Sequence, residues 1–160
     1  MEEFRLLDRR DCEAYHRLLV GGYQASKEAG IDFKAADFSP QDSYQWLEDF
    51  PTYGLWVDDE LVSSISLRLP WSKKPGPSLY PHLGHVVTDP KHKRKGYAHK
   101  TLTYLEEVLV NLYKAPKITL GTAAEHPWLC TMYESCGFKR YQETTLPGNK
   151  HVTIYFEKFL

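Results

Sequence analysis

Neither sign of charge dominates this chain: 20 lysines and arginines stand against 21 aspartates and glutamates, a formal net charge of −1. A protein whose whole surface holds nucleic acid or an anionic membrane needs a cationic excess, and none is present. Long apolar runs are missing too. No stretch approaches the roughly 20 residues needed to cross a bilayer. The amino terminus is charged from Glu2 onward, so neither a secretory signal nor a membrane partner is expected. Cysteine is scarce: Cys12, Cys130 and Cys136 are an odd three that form no paired framework and suit a reducing cytoplasm, the expected location. Internal repeats, low-complexity tracts and Ser/Gly-rich linkers are also missing, so the 160 residues read as one domain.

What remains is the composition of an ordinary globular chain, 42% hydrophobic and 26% charged. Phe4 to Leu7 reads as a short strand. Asp8 and Asp11 have the spacing of a capping box for a helix carrying Tyr15, Leu18, Leu19 and Tyr23. Residues 29–38 break that period and read as a loop. Ser39-Pro40 starts a second helix with Tyr44, Leu47 and Phe50, which Pro51 ends. Tyr53, Leu55 and Val57 then alternate, Asp58-Asp59 turns, and Leu61 to Leu69 returns. Four prolines between Pro70 and Pro81 exclude a strand there, and Leu83 to Thr88 resumes one. Leu102, Leu105, Val108, Leu109 and Leu112 form one apolar stripe of a third helix. Lys117 to Thr122 is a strand, and Pro127 starts a short helix that Gly137 terminates. Phe138 to Glu143 and Val152 to Phe156 form a hairpin across Pro147-Gly148-Asn149. The order β-α-α-β-β-β-α-β-α-β-β implies an α/β fold, a mixed sheet with helices on its faces.

The balanced charge hides one local exception. Lys91-His92-Lys93-Arg94-Lys95 packs four cations into five positions, between a strand and a helix that opens at Gly96. The first amides of a helix have no intrahelical partner and have the positive end of the helix dipole behind them. With cations around them and a glycine that allows close approach, they suit a pyrophosphate. A basic run taken alone more often means a solvated turn. Phosphate motifs of other kinds do not fit: there is no P-loop spacing, and Gly96-Tyr97-Ala98-His99 lacks the spaced glycines of a dinucleotide fingerprint.

The segment resembles the GNAT family of N-acetyltransferases. That signature is a hydrophobic strand, a proline, and then Gln or Arg, two residues, Gly, one residue, and Gly or Ala at the start of a helix. Here Val86-Val87-Thr88-Asp89-Pro90 is followed by Lys93-Arg94-Lys95-Gly96-Tyr97-Ala98, with Lys93 in place of the usual Gln or Arg. Downstream, Met132-Tyr133-Glu134-Ser135-Cys136-Gly137-Phe138 is similar to the family's Leu-Tyr-x-x-x-Gly-Phe ending, while His126 and Leu129 replace its Asn and Ala. The order of elements matches across nearly the whole chain, so residues 1–160 are expected to form a single N-acetyltransferase domain. The resemblance implies a central, mostly antiparallel sheet with a splayed parallel pair and helices on both faces. It also implies acetyl-CoA as acyl donor, no metal, and a small-molecule or peptide amine as acceptor. Family members are often dimers, so a homodimer is one expected assembly.

The resemblance assigns roles by position. The backbone of Val86, Val87 and Thr88 would pair with the pantetheine arm, and the turn of Lys93, Arg94, Lys95, Gly96, Tyr97, Ala98 and His99 would hold the pyrophosphate. Spacing alone reads Tyr133 as a core tyrosine among Leu129, Met132 and Cys136; the resemblance makes it the general acid that protonates the departing thiolate. His82 falls where some members carry a basic catalyst, and an imidazole titrating near pH ~6.5 could take the amine's excess proton through water. The rival reading is a histidine hydrogen-bonded to the neighbouring loop. Strand parity puts His82 on one face with Gly84, Val86 and Thr88, and His85 on the other, which argues against a His-x-x-His metal site. Neither Cys130 nor Cys136 has a histidine or carboxylate obviously placed to ionise it, so both read as buried thiols. Two other functions remain open: a CoA-binding module without transferase chemistry, and a nucleic-acid binder acting through the basic turn, which the balanced charge disfavours.

Overall fold

The computed structural model describes residues 1–28, 34–124, 126–145, 147–148 and 152–160. Local chemistry starts the first two helices. Asp8 and Asp11 cap each other across a 3-10 turn (Arg9–Asp11) that leads into α1 (Cys12–Glu28). Arg5 on β1 (Glu2–Leu6) grips the same Asp11 carboxylate with two bonds of 2.9 Å, tying strand to helix. Ser39 and Asp42 form a second box, with Pro40 at the first position of α2 (Pro40–Asp49). Of the loop expected before it, residues 29–33 lie outside the described residues and Lys34–Asp37 forms a 3-10 turn.

β2 (Thr52–Val57) and β3 (Glu60–Arg68) are joined by Asp58 and Asp59 at φ 49° and 68°, the two left-handed residues that a tight hairpin turn needs. β4 (His82–Thr88), α3 (Tyr97–Val108), β5 (Lys117–Ala123), α4 (Pro127–Ser135), β6 (Lys139–Thr144) and β7 (Thr153–Phe159) complete the chain. Gly137 ends α4 at φ 94°: its amide donates to the Glu134 carbonyl and that of Phe138 to the Tyr133 carbonyl, the paired bonds of a Schellman cap. β6 and β7 pair antiparallel as expected, although Asn149 of their connecting turn lies outside the described residues.

The strands form one seven-stranded sheet in the order β1-β2-β3-β4-β5-β7-β6, antiparallel except for β4 beside β5, with helices on both faces. One face packs α3 and α4 over Ile65, Leu67, Leu83, Leu120 and Phe156; the other packs α1 over Leu61 and Val87. No described helix is long and apolar enough to cross a membrane.

Two details differ from the sequence pattern. The stripe of α3 does not extend to Leu112: from Leu109 to Tyr113 the helix widens into π geometry, rotating Leu112 into solvent at 69% exposure while Leu109 stays buried. Strand parity also fails in β4. Gly84 lies opposite Ser66 and Val87 opposite Ser64, so β4 spends three residues where β3 spends two. The extra residue is a bulge at His85, which takes φ 43°. Beyond it the faces exchange. Val86 packs with Leu83 on the α3/α4 side, and His85 joins Gly84 on the α1/α2 side, against Trp46.

α1 reaches β4 closely because Gly22 has no side chain. A Cβ at Gly22 would run into Val87 Cγ2. Helix propensity alone would make Gly22→Ala stabilising by about 1 kcal/mol. The clash is expected to reverse the sign, to a loss of about 1–3 kcal/mol in urea unfolding, with part of it restored in the double variant Gly22→Ala/Val87→Ala. Stabilisation by Gly22→Ala would show that Val87 swings aside freely.

Candidate active site

The parallel pair opens into a cleft. β4 and β5 pair only at His82↔Thr119 and Leu83↔Leu120, and the ladder then stops. From Gly84 to Thr88, β4 keeps β3 on one side and offers a strand edge on the other. An extended chain carrying amides can pair with such an edge as an extra strand would. Val86, Val87 and Thr88 lie on this edge, directly before the basic turn.

At the turn, Arg94 (φ 65°) and Gly96 (φ 80°) take left-handed conformations that present successive amides outward, an anion-binding concavity. Nothing lies within 4 Å of where a Gly96 Cβ would stand, and Gly96 caps α3 without a side chain. The amides of Tyr97, Ala98 and His99 are in the first turn of α3, where no carbonyl precedes them. Not every cation of the cluster is available. Glu60 on β3 holds Lys91 at 3.2 Å and His92 at 2.9 Å. Lys93, Arg94 and Lys95 make no ion pair among the described residues and are exposed around the free amides. Glu60, Asp89 and His92 have metal-ligand chemistry within 4.8 Å of one another, but the Lys91 ammonium already stands on Glu60, so the group reads as an ion-pair cluster.

Tyr133 projects from α4 into the core beside Phe138 and Phe156, 6% exposed. Burial raises its hydroxyl pKa, with the neighbouring Cys136 and Cys130 adding to the rise, so the proton stays on at neutral pH. Tyr23 of α1 is likewise held protonated by burial, with Tyr133 near enough to add to the effect.

His82 is enclosed where β4 begins. It is 4% exposed, and its Nδ1 shares a 2.7 Å hydrogen bond with Thr119 Oγ1. Burial and the Arg68 charge push its pKa down to about 3, so it is neutral throughout the physiological range and does not titrate near pH 6.5. Gly76 packs against its ring so closely that a Cβ there would collide with it.

A family model, Acetyltransferase (GNAT) family, matches residues 20–138. The chain is 37% identical over 158 residues to S-(2-succino)cysteine N-acetyltransferase of Bacillus subtilis (strain 168), covering 98% of this chain and 95% of that protein. It is 34% identical over 154 residues to S-alkylcysteine N-acetyltransferase of the same organism, covering 95% and 86%. The chain belongs to the GNAT family. As a GNAT member it is an acyltransferase, and solved structures agree on the fold. The PaiA N-acetyltransferase of Thermoplasma acidophilum, in complex with coenzyme A, superposes with a TM-score of 0.78 at 17% identity, covering 100% of this chain and 99% of that one.

Around this edge the fold also makes contacts that the sequence pattern did not show. His99, at the start of α3, places Nδ1 3.3 Å from Cys136 Sγ, so a histidine does stand beside this thiol. Burial nevertheless raises the Cys136 pKa, and the thiol stays protonated. On the α1/α2 side, the Trp46 indole stacks on His85 at 3.8 Å, with Phe38 and Tyr23 edge-on to the same ring. Arg68 reaches across Gly84 into this group. A single hint was present in the sequence, a cation closing a strand whose residues between Glu60 and Arg68 are all small or apolar.

Proposed function

We propose that this GNAT protein transfers acetyl from acetyl-CoA to the primary amine of a small molecule by direct attack, and that S-substituted cysteines are the first acceptors to test. The observation carrying the reading is the opening of β4 from β5 at Gly84, which leaves a strand edge running straight into outward-facing amides at Arg94 to His99. The donor's pantetheine pairs along Val86 to Thr88, and its pyrophosphate lies on the Lys93 to His99 turn. The acceptor class is suggested by relatives that acetylate cysteine derivatives, by name, over nearly their whole length.

The free amine adds to the thioester carbonyl, forming the C–N bond, and a β4 amide beside the bulge steadies the oxyanion. The C–S bond then breaks, Tyr133 protonates the leaving thiolate, and the proton lost by nitrogen passes through water and replaces the one that Tyr133 gave up. His82, neutral and bonded to Thr119, orders this wall of the cleft instead of taking that proton. CoA release from acetyl-CoA in the presence of S-methylcysteine, other amino acids, polyamines and peptides tests the proposal, with calorimetry of acetyl-CoA binding alongside. Turnover with an amine is the expected result. Tight acetyl-CoA binding with no release from any amine would instead make the chain a CoA-binding sensor.

A further inference from the structure

We infer that Arg68 anchors the carboxylate of an α-amino-acid acceptor and so sets which amines this enzyme accepts. The inference rests on the transferase reading above and assigns a residue to its substrate specificity.

Arg68 closes β3 opposite His82. Its side chain crosses β4 over Gly84, where a Cβ would lie 3.2 Å from Arg68 Cδ and 3.5 Å from Trp46 Cζ2. The missing side chain at Gly84 therefore lets both groups lie over the strand where the cleft begins. The guanidinium plane is fixed by two carbonyls of the following loop: Nε donates to Lys74 O at 2.8 Å and Nη2 to Pro75 O at 2.9 Å. Nη1 makes no hydrogen bond among the described residues.

The charge itself is uncompensated. Arg5, Arg10 and Arg140 each pair with a carboxylate, but Arg68 pairs with none among the described residues. It is partly buried, it bears on His82 and His85, both neutral, and the acidic group that acts on it is the Tyr155 phenol rather than a carboxylate. Burial lowers the guanidinium pKa, and the Tyr155 phenol offsets only part of the effect. Withdrawing a cation from water without a counter-ion is unfavourable, and a planar fork with a free edge is the shape that takes a carboxylate through two parallel bonds. The position then specifies the ligand. In an α-amino acid a single carbon separates carboxylate from amine, so a carboxylate at Arg68 keeps the amine beside Gly84 and the His85 bulge. His85 Nδ1, buried there without a hydrogen-bond partner among the described residues, can accept an amine N–H.

The test compares S-methyl-L-cysteine with 2-(methylthio)ethylamine, the same amine without the carboxylate, in CoA-release assays of the wild type, Arg68→Met and Arg68→Lys. Acetyl-CoA affinity is measured in parallel by calorimetry. The wild type is expected to favour the carboxylate-bearing amine by about 100-fold in kcat/KM, the usual scale for a buried ionic anchor. Arg68→Met should lose that preference mainly through KM, Arg68→Lys should restore only part of it, and neither should shift the acetyl-CoA Kd by more than about twofold. Equal wild-type activity on both amines overturns the assignment without any variant, as does an Arg68→Met protein that keeps the preference. Lack of CoA release from the wild type with either amine, despite acetyl-CoA binding, overturns the acceptor reading beneath it, and is recognised by wild-type data alone.

Discussion

Tyr133→Phe is expected to lower kcat by at least about 100-fold, the low end for loss of a general acid, while the acetyl-CoA Kd stays within about twofold. The substitution removes one oxygen and keeps the ring, so the contacts with Phe138 and Phe156 persist and unfolding free energy should change little. Burial keeps the phenol protonated at neutral pH, so a proton is on hand when the thiolate leaves. The loss should be selective for the leaving group. An acetyl thioester of a more acidic thiol departs without needing a proton, so Tyr133→Phe should slow it far less than it slows acetyl-CoA. Wild-type turnover by Tyr133→Phe would remove the hydroxyl from the mechanism; an equal loss with both donors would reassign it to binding geometry.

What the sequence made legible was set by short-range chemistry. Asp8 with Asp11, Ser39 with Asp42, and Gly137 after α4 act within a few residues, and each appears in the structure where its spacing put it. The order of the strands and helices followed from periodicity, and the splayed sheet from the family resemblance. The turn at Gly96 was legible for the same reason, since a helix start and its flanking residues are contiguous.

The remainder depended on partners far along the chain. The bulge at His85 exists only relative to β3, because it is one residue of β4 with no counterpart there. It reversed the face assigned to His85 and Val86, and so hid the aromatic group around Trp46. Glu60 removes Lys91 and His92 from the basic cluster across about thirty positions of sequence, which no local count of cations contains. His99 meets Cys136 through the packing of α3 on α4. The π turn that exposes Leu112 leaves the helical period of the sequence unchanged while altering the rotation per residue. His82 illustrates the same limit in electrostatics: its identity suggested a base, whereas its burial decides its charge.

That burial, repeated at His85, gives the second large expected effect, a loss of stability in mild acid. Both imidazoles are pushed down to about 3, His82 by burial and then the Arg68 charge, His85 by burial and then Arg68 and Lys74. An unfolded histidine titrates near pH ~6.5, so between that value and about 3 the unfolded chain binds protons that the folded chain refuses. Stability is therefore full above pH ~6.5 and falls as the pH drops. The slope approaches about 1.4 kcal/mol per pH unit for each histidine, which sums to about 4 kcal/mol for the two between pH 7 and pH 5. Against a typical total of 5–15 kcal/mol this is a large fraction. Carboxylates such as Asp11, Asp49 and Glu60 add to acid lability, but their partners hold them below the usual carboxylate range, so their share appears at lower pH. Urea unfolding of the free protein at pH 7, 6 and 5 measures the effect, and His82→Gln or His85→Gln should each remove about half of the slope. Equal stability at pH 7 and pH 5 would mean that both rings protonate within the folded protein, and would favour His82 as the base over proton loss to water alone.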